Sequence, residues 1–181
     1  MPSSSSSSAG GEETARRPTA LLLVYTWDVV RGIAALFGAI TAFGADVSVH
    51  GRVVHVSVAA QILAALASAS LAAALFVVGT LLTRRSAWVR RAQIVVLLMD
   101  VALAVGSVAV DELTAHAGLD TAPLLGVALF ALVDLCAVTA MTAPRIAAWF
   151  REPGPVPLYV GGLIAFWAAT SVAFVGLRAL S

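Results

Sequence analysis

Five long apolar runs, separated by short stretches rich in charge, proline or glycine, constrain this chain more than any other feature. They cover Thr19–Phe43, Val56–Leu82, Ala92–Val110, Ala122–Ala143 and Pro157–Leu177. A helix needs roughly 20 apolar residues to cross a hydrocarbon layer about 30 Å thick, and each run is near or above that length. In lipid every backbone N–H and C=O must be paired within the protein, which leaves helices as the open-chain solution. The expected fold is an all-α integral membrane protein, a bundle of five transmembrane helices. Four spans are the alternative, should the first run, which carries Asp28 and Arg31, lie at the interface instead of crossing. Composition points the same way: of 181 residues, 60% are hydrophobic and 12% charged. That is about half the charged fraction of a soluble domain, too little to cover a water-facing surface.

The first 18 residues differ from the rest. Six serines, Ser3 to Ser8, precede Gly10, Gly11, Glu12, Glu13, Arg16 and Arg17. Such a segment has nothing to bury and reads as a disordered, Ser-rich cytoplasmic tail, with the transmembrane domain occupying residues 19–181. The Arg16-Arg17 pair before an apolar run is reminiscent of a twin-arginine signal. The run that follows contains Asp28 and Arg31, is too long for a signal core and lacks a small-x-small exit, so it reads as a retained span.

All eleven basic residues are arginine, and their placement sets an orientation. Arg16, Arg17, Arg84, Arg85, Arg90, Arg91, Arg145 and Arg151 fall on one side, Arg52 and Arg178 on the other. The positive-inside rule puts the N-terminus in the cytoplasm and the C-terminus outside a cell membrane. Trp88, Trp149, Phe150 and Tyr159 lie on the arginine side and are expected to form an interfacial aromatic belt. A net charge of +1 gives no reason to expect nucleic acid as a partner. The lipid bilayer is the expected environment, with a membrane-protein partner or a homo-oligomer within it.

Helices in lipid meet through close packing and polar contacts. Small residues recur at fourfold spacing: Ala34, Gly38 and Ala42 in the first run, Ala64, Ser68 and Ala72 in the second, Gly161, Ala165, Ala169 and Ala173 in the fifth. Each stripe is expected to pack against a neighbouring helix of the bundle, with an oligomer interface or chance as the alternatives. Cys136, the only cysteine, is expected as a small buried hydrophobe, and with no second cysteine there is no CxxC metal or redox motif.

The residues most informative about function are the ionisable ones inside the spans: Asp28 and Arg31 in the first, Asp100 in the third and Asp134 in the fourth. A charge at the bilayer centre costs at least about 2.5–3.5 kcal/mol on insertion scales, so it is usually paired or faces a wet cavity. Counted from the cytoplasmic end of each run, the three aspartates fall near the ninth or tenth residue, one layer close to the midplane. Arg31 lies one turn further out. One guanidinium can serve two carboxylates through its planar fork, so three carboxylates leave a surplus, and a buried carboxyl without a cation is expected to keep its proton. Three readings follow. Arg31 bridges Asp100 or Asp134 and the cluster fixes helix register; or Asp100 and Asp134 bind or relay a proton or small cation; or Asp28 lies shallow, at the headgroups beside Tyr25 and Trp27, and needs no partner.

Outside the spans, His50 and His55 occupy the first outer loop, and Asp111, Glu112 and His116 the second. Histidine with carboxylate suits a divalent metal or a pH-sensing surface. No HExxH-type spacing is present, so a solvated loop is the simpler expectation, with no metal and no cofactor. The inner loop from Thr83 to Arg91 is expected to touch anionic headgroups through Arg84, Arg85, Trp88, Arg90 and Arg91.

No nucleophile elbow, phosphate-binding loop or dinucleotide fingerprint occurs, and the chain reads as no enzyme. Leu132-Val133-Asp134-Leu135, continuing to Thr142-Ala143-Pro144-Arg145 and Trp149-Phe150, resembles the helix endings of small multi-pass membrane proteins of actinobacterial type. Arg31 together with Asp100 resembles the four-span MARVEL and Casparian-strip-like scaffolds, although five runs fit this chain better. Neither resemblance implies a catalytic residue. Both suit an accessory, scaffold or complex subunit; the rival reading is a proton- or cation-coupled transporter or channel.

Overall fold

The fold is that of a computed structural model describing residues 18–43, 47–49, 52–54, 57–115 and 121–180. Its elements run α1 (Thr19–Thr41), β1 (Val47–Val49), β2 (Arg52–Val54), α2 (Val58–Leu81), α3 (Ala87–Ala115), α4 (Thr121–Thr142), α5 (Pro144–Trp149) and α6 (Leu158–Leu180). Five helices, all but the short α5, are long and apolar enough to cross a membrane. The protein is an all-α membrane bundle, and among the described residues all five apolar runs, the charged first one included, form helices long enough to span. The tail reading, the orientation of Arg16 and Arg17, and His50, His55 and His116 lie outside the described residues.

Local chemistry explains where the elements stop. Ser57 caps α2, its side chain accepting from the Ala60 N–H at 3.3 Å, which satisfies one of the free donors at a helix start. Ala143 is extended (φ −56°, ψ 139°), as a residue before proline prefers. Pro144 then opens α5, where its missing N–H does no harm. The sequence reading had only a loop between the first two spans. The structure pairs β1 with β2 in antiparallel register, Val47 opposite Val54 and Val49 opposite Arg52, a valine-rich pattern that suits extended backbone.

The spans form a ring. α1 lies along α2, α2 along α6, α6 against α3, and α3 against α4, while α4 returns lightly to α1; α3 also touches α2. In α2, 44% of the apolar stretch is buried, against 22–28% in the other spans, which makes it the central helix. Its Leu71, Ala72, Leu75 and Val78 meet Val96 and Leu97 of α3, Trp167 of α6 and Leu21 and Val24 of α1 in one core. The outward faces are apolar too: Leu22, Phe37, Leu125 and Val172 are all more than half exposed. A bundle greasy on both sides is what lipid requires.

Two sets of contacts fix the sense of the helices. Ala87 N–H donates to Glu152 C=O at 3.0 Å and Glu152 N–H to Arg85 C=O at 3.1 Å, joining the starts of α3 and α6. At the other ends, Arg178 and Asp111 pair at 2.7 Å. α3 and α6 therefore run parallel, as third and fifth spans must.

Three expectations need correction. α3 begins at Ala87, not Ala92, so Trp88, Arg90 and Arg91 belong to the helix and not to a loop. Trp88 and Phe150 are buried in the core and form no headgroup belt, though Tyr159 is exposed. The α6 stripe of Gly161, Ala165, Ala169 and Ala173 faces outward, and Cys136 is exposed as well. The stripes of α1 and α2 do meet, a Cβ at Gly38 falling 3.4 Å from Ser68 Oγ, so small size alone does not tell which stripe turns inward within the chain.

Candidate functional site

The charged residues gather where α1, α3 and α4 converge. Trp27 and Arg31 are four residues apart and project from one face of α1. Arg31 Nη2 donates to Asp100 Oδ2 on α3 at 2.5 Å, and its Nε lies 3.9 Å from Asp134 Oδ2 on α4. Trp27 Nε1 donates to the other oxygen, Asp134 Oδ1, at 2.6 Å. Phe130, one turn before Asp134 on α4, places its ring 4.5 Å from the guanidinium carbon and 5.8 Å from the Trp27 ring. A guanidinium over an aromatic face adds a favourable charge–quadrupole contact. One cation thus stands between two carboxylates, hydrogen-bonded to Asp100 and in longer-range attraction to Asp134, its Nε making no hydrogen bond among the described residues. The Trp27 N–H fills an Asp134 lone pair, and an aromatic ring covers the cation. Asp134 is 1% exposed.

Asp28 stands apart from this cluster. One residue round the helix from Trp27, it faces the interior with Val24, Gly32 and Ala35. It is 1% exposed, packed inside the bundle and not open to its surroundings as the partner-free reading had it. Its Oδ1 accepts from Gln93 Nε2 at 2.7 Å. Asp28 Oδ2 and Gln93 Oε1 are both buried without a hydrogen-bond partner. Gln93 and Asp100 lie seven residues apart on the inward face of α3, with Val96 and Leu97 buried between them.

The single layer of three aspartates therefore splits in two. Asp100 is the fourteenth residue of a helix starting at Ala87, about one turn deeper than a start at Ala92 implied. Of the sequence-identified cluster, the structure brings Arg31, Asp100 and Asp134 together and seats Asp28 on Gln93. Gln93 and Trp27 were missed. A span starting at Ala92 puts Gln93 second in the run, and an amide within an apolar run is itself costly, a signal that could have flagged it. Trp27 looked like a headgroup anchor.

The arginine-rich end is partly used by the fold. Arg85 stacks on Trp149, 4.2 Å from the ring centroid, and Ser86 Oγ donates to Glu152 C=O. Arg84, Arg85, Ser86, Glu152 and Gly154 line an open hollow of about 570 Å³. Arg84 and Arg91 are exposed, Arg90 is half-buried, and Trp88 is turned inward. On the far side Asp111 pairs with Arg178, and Glu112 is exposed. Among the described residues no three histidine, cysteine or acidic side chains gather as a metal centre would need. Comparison with protein-family models, with curated proteins and with solved structures finds no match.

Proposed function

We propose that this chain is a non-enzymatic, multi-pass protein of the cell membrane, acting as an accessory or scaffold-like subunit of a larger membrane assembly. One observation supports this most: Arg31, Trp27, Asp100 and Asp134 are committed to one another and tie α1, α3 and α4 together. A mutual interlock suits a part that must hold its shape. The described arginines agree with a cytoplasmic N-terminus, since Arg84, Arg85, Arg90, Arg91, Arg145 and Arg151 sit towards the shared end of α3 and α6 where Glu152 bridges to Arg85 and Ala87. The resemblance of Leu132 to Phe150 to small actinobacterial membrane proteins fits the same reading.

Native mass spectrometry of the full chain, extracted from its own membrane in a mild detergent, tests it. A stoichiometric partner protein is expected. A bare monomer or homo-oligomer would count against the subunit reading. Asp134→Asn should weaken the fold or the assembly and leave ion permeability unchanged. If liposomes carrying the protein pass protons or cations, and Asp100→Asn or Asp134→Asn stops that flux with the fold intact, a coupled transporter or channel replaces the scaffold.

A further inference from the structure

Among the described residues Asp28 makes no ion pair, unlike the other two intramembrane carboxyls. Arg31, on its own helix, is turned to Asp100 and Asp134. From α2, Gly79 comes close to Asp28, with the Tyr25 ring of α1 beside it. α3 brings Gln93 and, one turn earlier, Arg90, whose buried Nε has no hydrogen-bond partner. α4 brings Asp134, which Trp27 and Arg31 already hold. What Asp28 does have is Gln93, and that contact is half complete.

Gln93 Nε2 donates to Asp28 Oδ1 at 2.7 Å. The second oxygen of each head group, Asp28 Oδ2 and Gln93 Oε1, is buried without a donor. Native proteins rarely leave buried polar atoms in that state. Two such oxygens, on head groups already joined through their other halves, lack one hydrogen between them. A carboxylic acid supplies it, because its O–H donates while its C=O still accepts. Turning the amide over, which its near-symmetric shape allows, would set oxygen against oxygen and require the same hydrogen. On the α2 side, a methyl at Gly79 would lie 3.2 Å from Oδ2, so that side has no room for a hydrated cation.

We infer that Asp28 is a proton-binding site within the membrane: its carboxyl holds a proton and donates it to Gln93 Oε1, closing a neutral acid–amide latch between α1 and α3 against Gly79. The ionic pairing at Arg31 and the protonic pairing at Asp28 are then separate devices. This assignment does not depend on whether the chain is a subunit.

Infrared spectroscopy of the full-length protein in lipid nanodiscs at neutral pH tests it directly. The C=O stretch of a protonated carboxyl, distinct from carboxylate and amide bands, should be present in the native chain and shift on deuteration. It should vanish in Asp28→Asn, persist in Asp134→Asn, and change frequency in Gln93→Leu as its hydrogen-bond partner is lost. Absence of the band in the native protein, or its survival in Asp28→Asn, overturns the assignment. So does a sodium- or potassium-dependent change in the carboxylate bands that Asp28→Asn abolishes, which would make the site a cation site. Because asparagine can keep both hydrogen bonds to Gln93, Asp28→Asn should unfold at nearly the native temperature. A large drop would point to an ionised Asp28 and also overturn the proposal.

Discussion

On its α2 side, helix α1 packs through small residues. A Cβ on Gly32 would come within 2.8 Å of the Phe76 ring, and one on Gly38 within 3.4 Å of Ser68 Oγ. On its α4 side the same helix presents Trp27 and Arg31, which reach across to Phe130 and Asp134, while the two backbones scarcely approach each other. The contrast shows how lipid changes the rules of helix association. With no hydrophobic drive between spans, helices are joined by close backbone packing or by polar contacts. The polar cluster sits where the α1 and α4 backbones barely touch, because long side chains bridge that distance, and once in lipid their polar ends must find one another.

The largest effect should come from the wide side. Arg31→Met leaves two carboxylates without their cation and should lower stability by about 3 kcal/mol, read from unfolding in detergent. Adding Asp100→Asn and Asp134→Asn to Arg31→Met should restore most of that loss. A single variant as stable as the native chain would break the comparison, since charge would then not be what holds α4 to α1.

On the close side, Gly32→Ala pushes a methyl into the Phe76 ring and should cost about 1–3 kcal/mol through overpacking. Phe76→Leu in the same chain should relieve part of it, and an additive pair of losses would show that the contact is not the cause. Smaller still is the α2–α6 seam, where Ser70 Oγ and Thr170 Oγ1 lie 3.5 Å apart. Ser70→Ala should cost only about 0.6 kcal/mol, the usual scale for polar contacts between spans. The Arg178–Asp111 pair, some 40% exposed on each side, should matter least among the contacts. Arg178→Gln should cost about 0.2–0.5 kcal/mol, and less as salt is added. On the outward stripe of α6, a Cβ added at Gly161 meets nothing within 4 Å among the described residues, so Gly161→Ala should not lower the melting temperature; a clear drop would mean that face is covered in the membrane.

How much of this was legible beforehand follows from the same physics. Arg31, Asp100 and Asp134 could be picked out one by one, since an ionisable side chain in an apolar run is conspicuous wherever it lies. Their pairing was partly legible, because Arg31 had two carboxylates to choose from and takes both. The partner of Asp28 was not, because Arg90 and Arg91 made the start of α3 look like a loop and put Gln93 at its edge. Arginine tolerates the membrane boundary by reaching outward along its stem, so a pair of them need not end a helix.

The number of spans, their approximate limits and the asymmetry of arginines were set by the sequence alone, since crossing lipid requires length and apolarity, which are properties of each segment by itself. Which face of each span turns inward was decided only by the tertiary structure. In water the core face is apolar and the outer face polar, so a helix declares its inside; in lipid both faces are apolar and that signal disappears. Hence the small-residue stripe of α6 and Cys136, expected inside, lie outside. The residues that did mark the interior were the polar ones, Asp28, Ser70, Gln93, Asp100, Asp134, Thr170 and Ser171, because among hydrocarbon chains a hydrogen-bonding group finds its partners only within the bundle.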